Sequence, residues 1–492
     1  MTTARDRLRF IEPDGSNLDE VRQLGYRFID LLVEAAAKAG SHPPVPEELP
    51  VPDLLRGPYT PSLEGRDPYE LIEIVRTEIL DRTLNPAHPG YVGHMDSLAS
   101  AVGIFSDALI SACNNNMLSY EMSLVFTAME DRLLRWATGA FGWGDAARGL
   151  LVSGGTLANI QAIWVARNHV GDRGAAREGL ASPEGRLVLL ASEHAHYSFL
   201  KAANLLGIGR RGAVLVQSGD SHRIDPRVLE EVILRARGEG LRPFCVVGVA
   251  GTTVTGTIEP LDEIGAIARR HGLWFHVDAA YGGSLILSKK LRSRLRGCET
   301  ADSITWNPQK WLYVPKTCAS ILFRDGQILE TTVREPFLYG REGGDDSHPN
   351  LGEYTIQGTR RVDVLKLWLT LEHLGTDYMA RLIETQVEAA SRLADRIEAT
   401  PGLELIARPN LNIVCFRAIP PGIDPTADPG LMDEAQSAVQ LEVARRGHGW
   451  LSMPLYRGRR VLRAVILHPR CDDSLLDLLL KDVLAASREA RA

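Results

Sequence analysis

FCVVGVAG (244–251) and LWFHVDAA (273–280) flank the stretch PLDEIGAIARRHG (260–272), and these three segments decide the fold. Each flanking run is short, almost continuously apolar and rich in β-branched and aromatic residues, the pattern of a strand buried on both faces. The segment between them reads as a helix that ends at a glycine. Strand, helix and strand in such close succession predict neighbouring parallel strands joined by a crossover. RLVLLAS (186–192) and GAVLVQ (212–217) repeat the theme upstream, and SITW (303–306) repeats it downstream. The expectation is an α/β fold with a mostly parallel central sheet and helices on both faces. Ligands of such sheets gather outside the carboxyl ends of the strands.

From Asn17 to Gly40, Leu18, Val21, Leu24, Phe28, Leu31 and Leu32 recur at helical spacing, with Asn17 and Glu20 placed as a capping box. The following SHPPVPEELPVPDLLRGPYTP is too rich in proline for one regular element. Residues 1–87 therefore read as an N-terminal helical arm and linker whose apolar stripe needs a covering surface, with a second subunit expected to supply it. Residues 88–370 read as the large domain. Residues 371–492, with long helices and the strands LNIVCFRA and VLRAVIL, read as a small C-terminal α+β domain.

The chain has 492 residues, 45% hydrophobic and 24% charged, with a formal charge of -7. Its basic residues are scattered, so no footprint for nucleic acid or an anionic membrane is present. The six cysteines are far apart and form no CxxC pair, which argues against a zinc cluster or a disulfide framework and for a reduced, cytoplasmic setting. MTTARDRLRF has no apolar signal core, and no run approaches the roughly 18 apolar residues of a membrane span. A soluble enzyme of small-molecule metabolism is expected.

If the sheet is parallel, its strand ends deliver reactive groups to one edge. His194, His196 and Tyr197 follow RLVLLAS, Thr252 and Thr253 follow FCVVGVAG, Asp278 ends LWFHVD, and Lys310 follows SITW. Ser153, Gly154, Gly155 and Thr156 lead into the helical pattern LANIQAIWVARN, where unpaired N–H groups and the helix dipole favour a phosphate. Taken singly these residues have plain readings, a snorkelling lysine, a turn aspartate or an ordinary cap. Together an amine, a carboxylate, an imidazole and a phosphate-binding helix start meet the needs of pyridoxal 5′-phosphate. Gly207, Gly209 and Gly212 imitate the GxGxxG order, but helix, glycines and strand is the reverse of the dinucleotide arrangement.

The segments HPGYVGHMDS, NNNMLSYEMSLVFTAMED, SGGTLANIQAIWVARN, SEHAHYSFLKAANLLGIG, AGTTVTGTIEPLD, HVDAAYGG, NPQKWLYVP, QGTRRVDVLKLW and VLRAVILHP resemble, in order, the group II pyridoxal-phosphate-dependent amino-acid decarboxylases. The resemblance runs from about residue 88 to 470. It implies the fold type I, aspartate-aminotransferase-like fold, an intertwined homodimer, and release of CO2 and an amine from an amino acid. By position, Lys310 would be the Schiff-base lysine and Asp278 the partner of the pyridine nitrogen. His196 would stack on one ring face and Ala280 pack on the other. Ser153, Gly154, Gly155, Thr156 and Asn307 would hold the phosphate, with Gly358 and Thr359 reaching it from the second subunit. Thr252 would lie near the cofactor or substrate carboxylate, and Arg463 would orient the substrate α-carboxylate.

Two departures bear on chemistry. Gln309 stands where the family commonly has histidine, so no proton that titrates near neutral pH is available there. The family's proton-donating loop tyrosine falls on Phe337, with Tyr339 two residues later. Either Tyr339 substitutes, or the reaction shifts towards an aldehyde by oxidative deamination, as in plant relatives with phenylalanine. At the substrate end, Gly93 and His94, followed by Met95 and Asp96, stand where glutamate enzymes show an asparagine-glutamine pair that contacts the distal carboxylate. Asp96 would repel such a carboxylate, which favours a neutral aliphatic or aromatic substrate over glutamate or aspartate.

Overall fold

The structure is a computed structural model that describes residues 8–46, 59–180, 185–336, 349–424 and 428–490. The chain forms two compact units, one of Met1–His94, Ala418–Met453 and His468–Ala492, the other of Met95–Arg417 and Pro454–Leu467.

The larger unit is built on seven strands, β1 (Arg148–Val152), β2 (Leu187–Ser192), β3 (Ala213–Val216), β4 (Arg242–Val249), β5 (Trp274–Asp278), β6 (Ser303–Trp306) and β7 (Ala319–Phe323). Their order is β1-β7-β6-β5-β4-β2-β3. The pairs β2–β3, β2–β4, β4–β5 and β5–β6 are parallel, and β7 runs antiparallel to both its neighbours. The crossover read from 244–280 is present, with the helix Leu261–Arg270 between β4 and β5. Every residue of β2, β5, β6 and β7 is buried, as strands covered on both faces must be. Gly207 and Gly209, both at positive φ, form the turn between the helix Ser198–Leu205 and β3, so the glycine run is a helix stop.

A second sheet in the same unit has the order β12-β9-β8, from β8 (Leu403–Ala407), β9 (Ile413–Ala418) and β12 (Leu462–Val465), the last preceded by a hairpin of β10 (Leu455–Tyr456) and β11 (Arg459–Arg460). The sequence boundary at 370/371 is not where packing thins out. In the helix Thr376–Ala399, Gln386 accepts from Trp311 Nε1 at 2.7 Å and donates to Tyr313 Oη at 2.7 Å and the Leu467 carbonyl at 2.6 Å, so that helix belongs to the larger unit.

One buried ion pair ties the edge of the large sheet to the segment after Gly358. Arg360 and Glu130 are 4% and 1% exposed, with Nη1 2.9 Å from Oε1. Arg360 also donates to the Leu151 and Met117 carbonyls, and Glu130 accepts from Leu151 N–H. Breaking a buried pair strands a charge, so Arg360→Met is expected to cost about 3–5 kcal/mol. Urea unfolding measures it, and a loss below about 1 kcal/mol would show that water reaches Glu130.

In the smaller unit the helices Pro429–Arg446 and Asp473–Glu489 pack together, and Leu18–Lys38 packs with Pro68–Ile74. The capping box expected at Asn17 does not form. Asn17 is buried, and its side chain accepts from Glu12 N–H at 3.0 Å and donates to the Phe10 carbonyl at 2.8 Å, so it staples the preceding segment instead of capping the helix. Tyr26, Phe28, Ile29 and Val33 of that helix are exposed.

Candidate active site

Lys310 lies in the one-turn helix Pro308–Trp311, just past the end of β6. Its neighbours are committed elsewhere. Trp311 is fully buried, stacked on Tyr281 at 4.9 Å and bonded to Gln386, while Tyr313 Oη donates to the Leu467 carbonyl at 2.8 Å. The amine is left to face a cavity of about 260 Å³, 5.9 Å from the Tyr281 ring centre. Burial lowers its pKa, partly opposed by the Asp278 and Asp96 carboxylates, which is the condition for an amine that must be neutral to attack a carbonyl.

The carboxyl ends of four parallel strands meet at this cavity, as the sequence predicts. His196 comes from the turn after β2, Gly251 and Thr253 from that after β4, Asp278 from the end of β5, and Asn307 and Lys310 from that after β6. Asp278 is 5% exposed; Oδ1 accepts from Ala280 N–H at 3.2 Å and Oδ2 from Asn159 Nδ2 at 3.0 Å. His196 Nδ1 lies 2.9 Å from Ser198 Oγ, and burial lowers the ring's pKa, leaving it neutral at physiological pH.

The opposite end is shaped for an anion. The helix Gly155–Ala166 starts at the cavity with no side-chain cap, so its first N–H groups are available. Gly154, Gly155 and Thr156 line the wall, and a Cβ on Gly155 would come within 2.6 Å of Asn307 Nδ2, so a side chain there would displace that amide from the helix start. Asn307 Oδ1 is buried with no hydrogen-bond partner. Amine, buried carboxylate, uncapped helix start and an unsatisfied amide fit pyridoxal phosphate.

Several expected residues lie outside the cavity lining. Ser153 is exposed and its N–H donates to Gln357 Oε1 at 3.1 Å. Thr252 turns away into a buried hydroxyl chain with Thr255 and Thr257, each step 2.8 Å, and it is Thr253 that lines the cavity. Arg463, on β12 and 5% exposed, donates from Nη1 to the Thr253 carbonyl. Gly358 and Thr359 are exposed. Asp96 is ion-paired with Lys316, and His94, in the smaller unit, meets Trp450 edge-on at 5.0 Å. His194 bonds Ser218 at 2.8 Å and stacks on Tyr456. Phe337 and Tyr339 lie outside the described residues. Gln309 lines the cavity and accepts from Cys318 N–H, a structural use of the amide. Asn159, Val249 and Tyr281 also line the cavity and had not been singled out; only Asn159 carried a signal, as a polar residue in a mostly apolar helix.

Below β4, buried Glu259 accepts from Val249 N–H at 2.9 Å while its Oε1 has no partner; burial raises its pKa to about 7. Between its ordinary value and about 7 the folded state holds a proton that the unfolded chain has lost, so stability falls as pH rises. His276, lowered by burial to about 4, works the other way: below its ordinary value the unfolded chain binds the extra proton, so stability falls as pH falls. Glu259→Gln removes the first effect alone. The variant is expected to gain roughly 3 kcal/mol relative to wild type between pH 4.5 and 7.5, read from urea unfolding; a constant difference would mean that Glu259 does not titrate there.

The sequence profile described as "Pyridoxal-dependent decarboxylase conserved domain" matches residues 64–419. The chain is 30% identical over 428 residues to human "Acidic amino acid decarboxylase GADL1", covering 85% of this chain and 81% of that one. It is 31% identical over 446 residues to "L-2,4-diaminobutyrate decarboxylase" of Acinetobacter baumannii, covering 88% and 86%. The crystal structure of mouse CSAD superposes with a TM-score of 0.89 at 28% identity, covering 95% of this chain and 99% of that one.

Proposed function

The chain belongs to the pyridoxal-dependent decarboxylases, and within that family we propose that it decarboxylates an L-amino acid with an uncharged aliphatic or aromatic side chain. It is a pyridoxal-phosphate-dependent carboxy-lyase; the substrate class is the open element. The observation that carries the reading is the neutralised charge beside the cavity. Asp96, next to the lining residue Met95, is paired with Lys316, and the other charges at the wall, Lys310 and Asp278, are those the cofactor would use. A charged distal group would find a partner there only by exchange with the Asp96–Lys316 pair, whereas a neutral one leaves that pair intact.

The bound cofactor supplies an electron sink for the pair left behind when the carboxylate departs as CO2. Lys310 would hold it covalently, and Asp278 would hold a proton on its ring nitrogen. His196 and Ala280 would confine the ring, while Gly154, Gly155, Thr156 and Asn307 would bind its phosphate through N–H and amide groups, with Ser153 at the margin. Thr253 and Arg463 would orient the substrate carboxylate, with Thr252 holding that turn in shape. We propose a homodimer in which Gly358 and Thr359 serve the second subunit's phosphate site. The exposed stripe Tyr26, Phe28, Ile29 and Val33, and the exposed Leu124 and Val125, support a covering copy.

A panel of the twenty amino acids, cysteine sulfinate, 2,4-diaminobutyrate and dopa tests the substrate, following CO2, amine, aldehyde and peroxide. A neutral amino acid is expected to give the highest kcat/KM. Preference for an acidic or diamino substrate would overturn the reading, and aldehyde with peroxide would show that Phe337 sets the product.

A further inference from the structure

We infer that Asn159 is a positioning residue whose single amide orients Asp278 and, through Ser198, fixes the hydrogen of His196 on Nε2, facing the cavity; the inference rests on the cofactor reading of Asp278 and His196. The directions of the hydrogen bonds follow from donor and acceptor inventories. An ionised carboxylate only accepts, so the Asn159 Nδ2 group must face Asp278 Oδ2, 3.0 Å away. Its other hydrogen then goes to Ser198 Oγ at 2.9 Å. Ser198 spends its own hydrogen on His196 Nδ1 at 2.9 Å, and the Ser198 backbone N–H independently donates to the same nitrogen at 3.2 Å. Two donors on Nδ1 require a bare nitrogen there, and a neutral ring then carries its hydrogen on Nε2.

The other side of Asn159 is equally determined. Its Oδ1 faces His276 Nε2 at 3.2 Å, so that nitrogen donates. His276 is fully buried, and as a neutral ring it accepts at Nδ1 from Ser303 Oγ at 2.8 Å, whose oxygen in turn accepts from Trp274 Nε1 at 2.9 Å. The carboxylate at one end can only accept, and it sets the direction of the bonds from Asn159 to Ser198 and His196; the Trp274 indole at the other end, which can only donate, is compatible with them. A 180° flip of the Asn159 amide would set its oxygen against the Asp278 carboxylate, and that repulsion prevents it. His196 is thereby a hydrogen-bond donor to whatever occupies the cavity; its Nδ1 is unavailable as a base.

The test is 15N-histidine solid-state NMR of the protein without cofactor, with His196→Gln assigning the signal, together with pyridoxal phosphate affinity. In wild type, His196 is expected to show an unprotonated Nδ1 and a protonated Nε2; a hydrogen on Nδ1 would overturn the inference. Asn159→Leu, close in volume, is expected to give mixed His196 tautomers and a cofactor Kd at least about 10-fold weaker, since a bond to a charged acceptor is lost. Ser198→Ala is expected to mix the tautomers with a smaller change in affinity. Unchanged tautomers and affinity in Asn159→Leu would also overturn it. If Asn159→Leu does not fold, the wild-type tautomer still decides. A wild-type protein that fails to bind pyridoxal phosphate would sink the cofactor reading of the site, and the apoprotein tautomer would still test this one.

Discussion

Lys310→Ala is expected to fold, to bind pyridoxal phosphate only reversibly, and to release CO2 at least about 10³-fold more slowly than wild type. The fold should survive because the amine contributes no hydrogen bond or ion pair among the described residues, while its neighbours Trp311 and Tyr313 hold the turn through Gln386 and Leu467. Removing a desolvated amine costs the core little. The lost covalent anchor should be visible in two ways: loss of the absorbance of the lysine-bound cofactor, and its removal by dialysis. Activity within 10-fold of wild type would mean that another amine serves, and the placement of Lys310 at the end of β6 would then have no catalytic meaning.

Asp278→Asn is expected to lower kcat by about 10²–10³-fold with a smaller change in KM, the range found when one group that stabilises developing charge is removed. An amide is nearly isosteric with the carboxylate but cannot hold a proton on a ring nitrogen by charge. It also presents an NH2 group that can oppose the Asn159 amide now donating to Oδ2. Single-turnover CO2 release separates the chemical step from product loss. If the rate is unchanged, Asp278 is a turn former at the end of β5 and the electron sink works without it.

The substrate end depends on smaller energies than either of these. The pair Asp96–Lys316 is partly exposed, with side chains 35% and 50% accessible, so it is worth little in isolation and can be exchanged by a strongly charged ligand. Selectivity measured over a range of salt would therefore separate a pocket that ignores charge from one that exchanges it.

The sequence by itself determined the sheet and which side chains gather at its edge. Apolar runs such as FCVVGVAG and LWFHVDAA can be satisfied only between two layers of helix, and a parallel crossover sends every following turn to the same side, so His196, Asp278, Asn307 and Lys310 converge by topology alone. Their order along the chain and the segments around them also carried the family. Tertiary structure decided what local pattern cannot express. Asn17 has the spacing of a cap, yet the backbone of the preceding segment, through Glu12 N–H and the Phe10 carbonyl, engages both ends of its amide. Thr252 and Thr253 are adjacent and alike, and the hydroxyls of Thr255 and Thr257 choose which one turns inward. The helix Thr376–Ala399 joins the larger unit because one glutamine in it satisfies an indole, a phenol and a carbonyl far away in sequence. Asn159 lies within SGGTLANIQAIWVARN, but its meaning rests on the directions of bonds to Asp278, His276 and Ser198, and those exist only once β5 and two turns are packed against its helix.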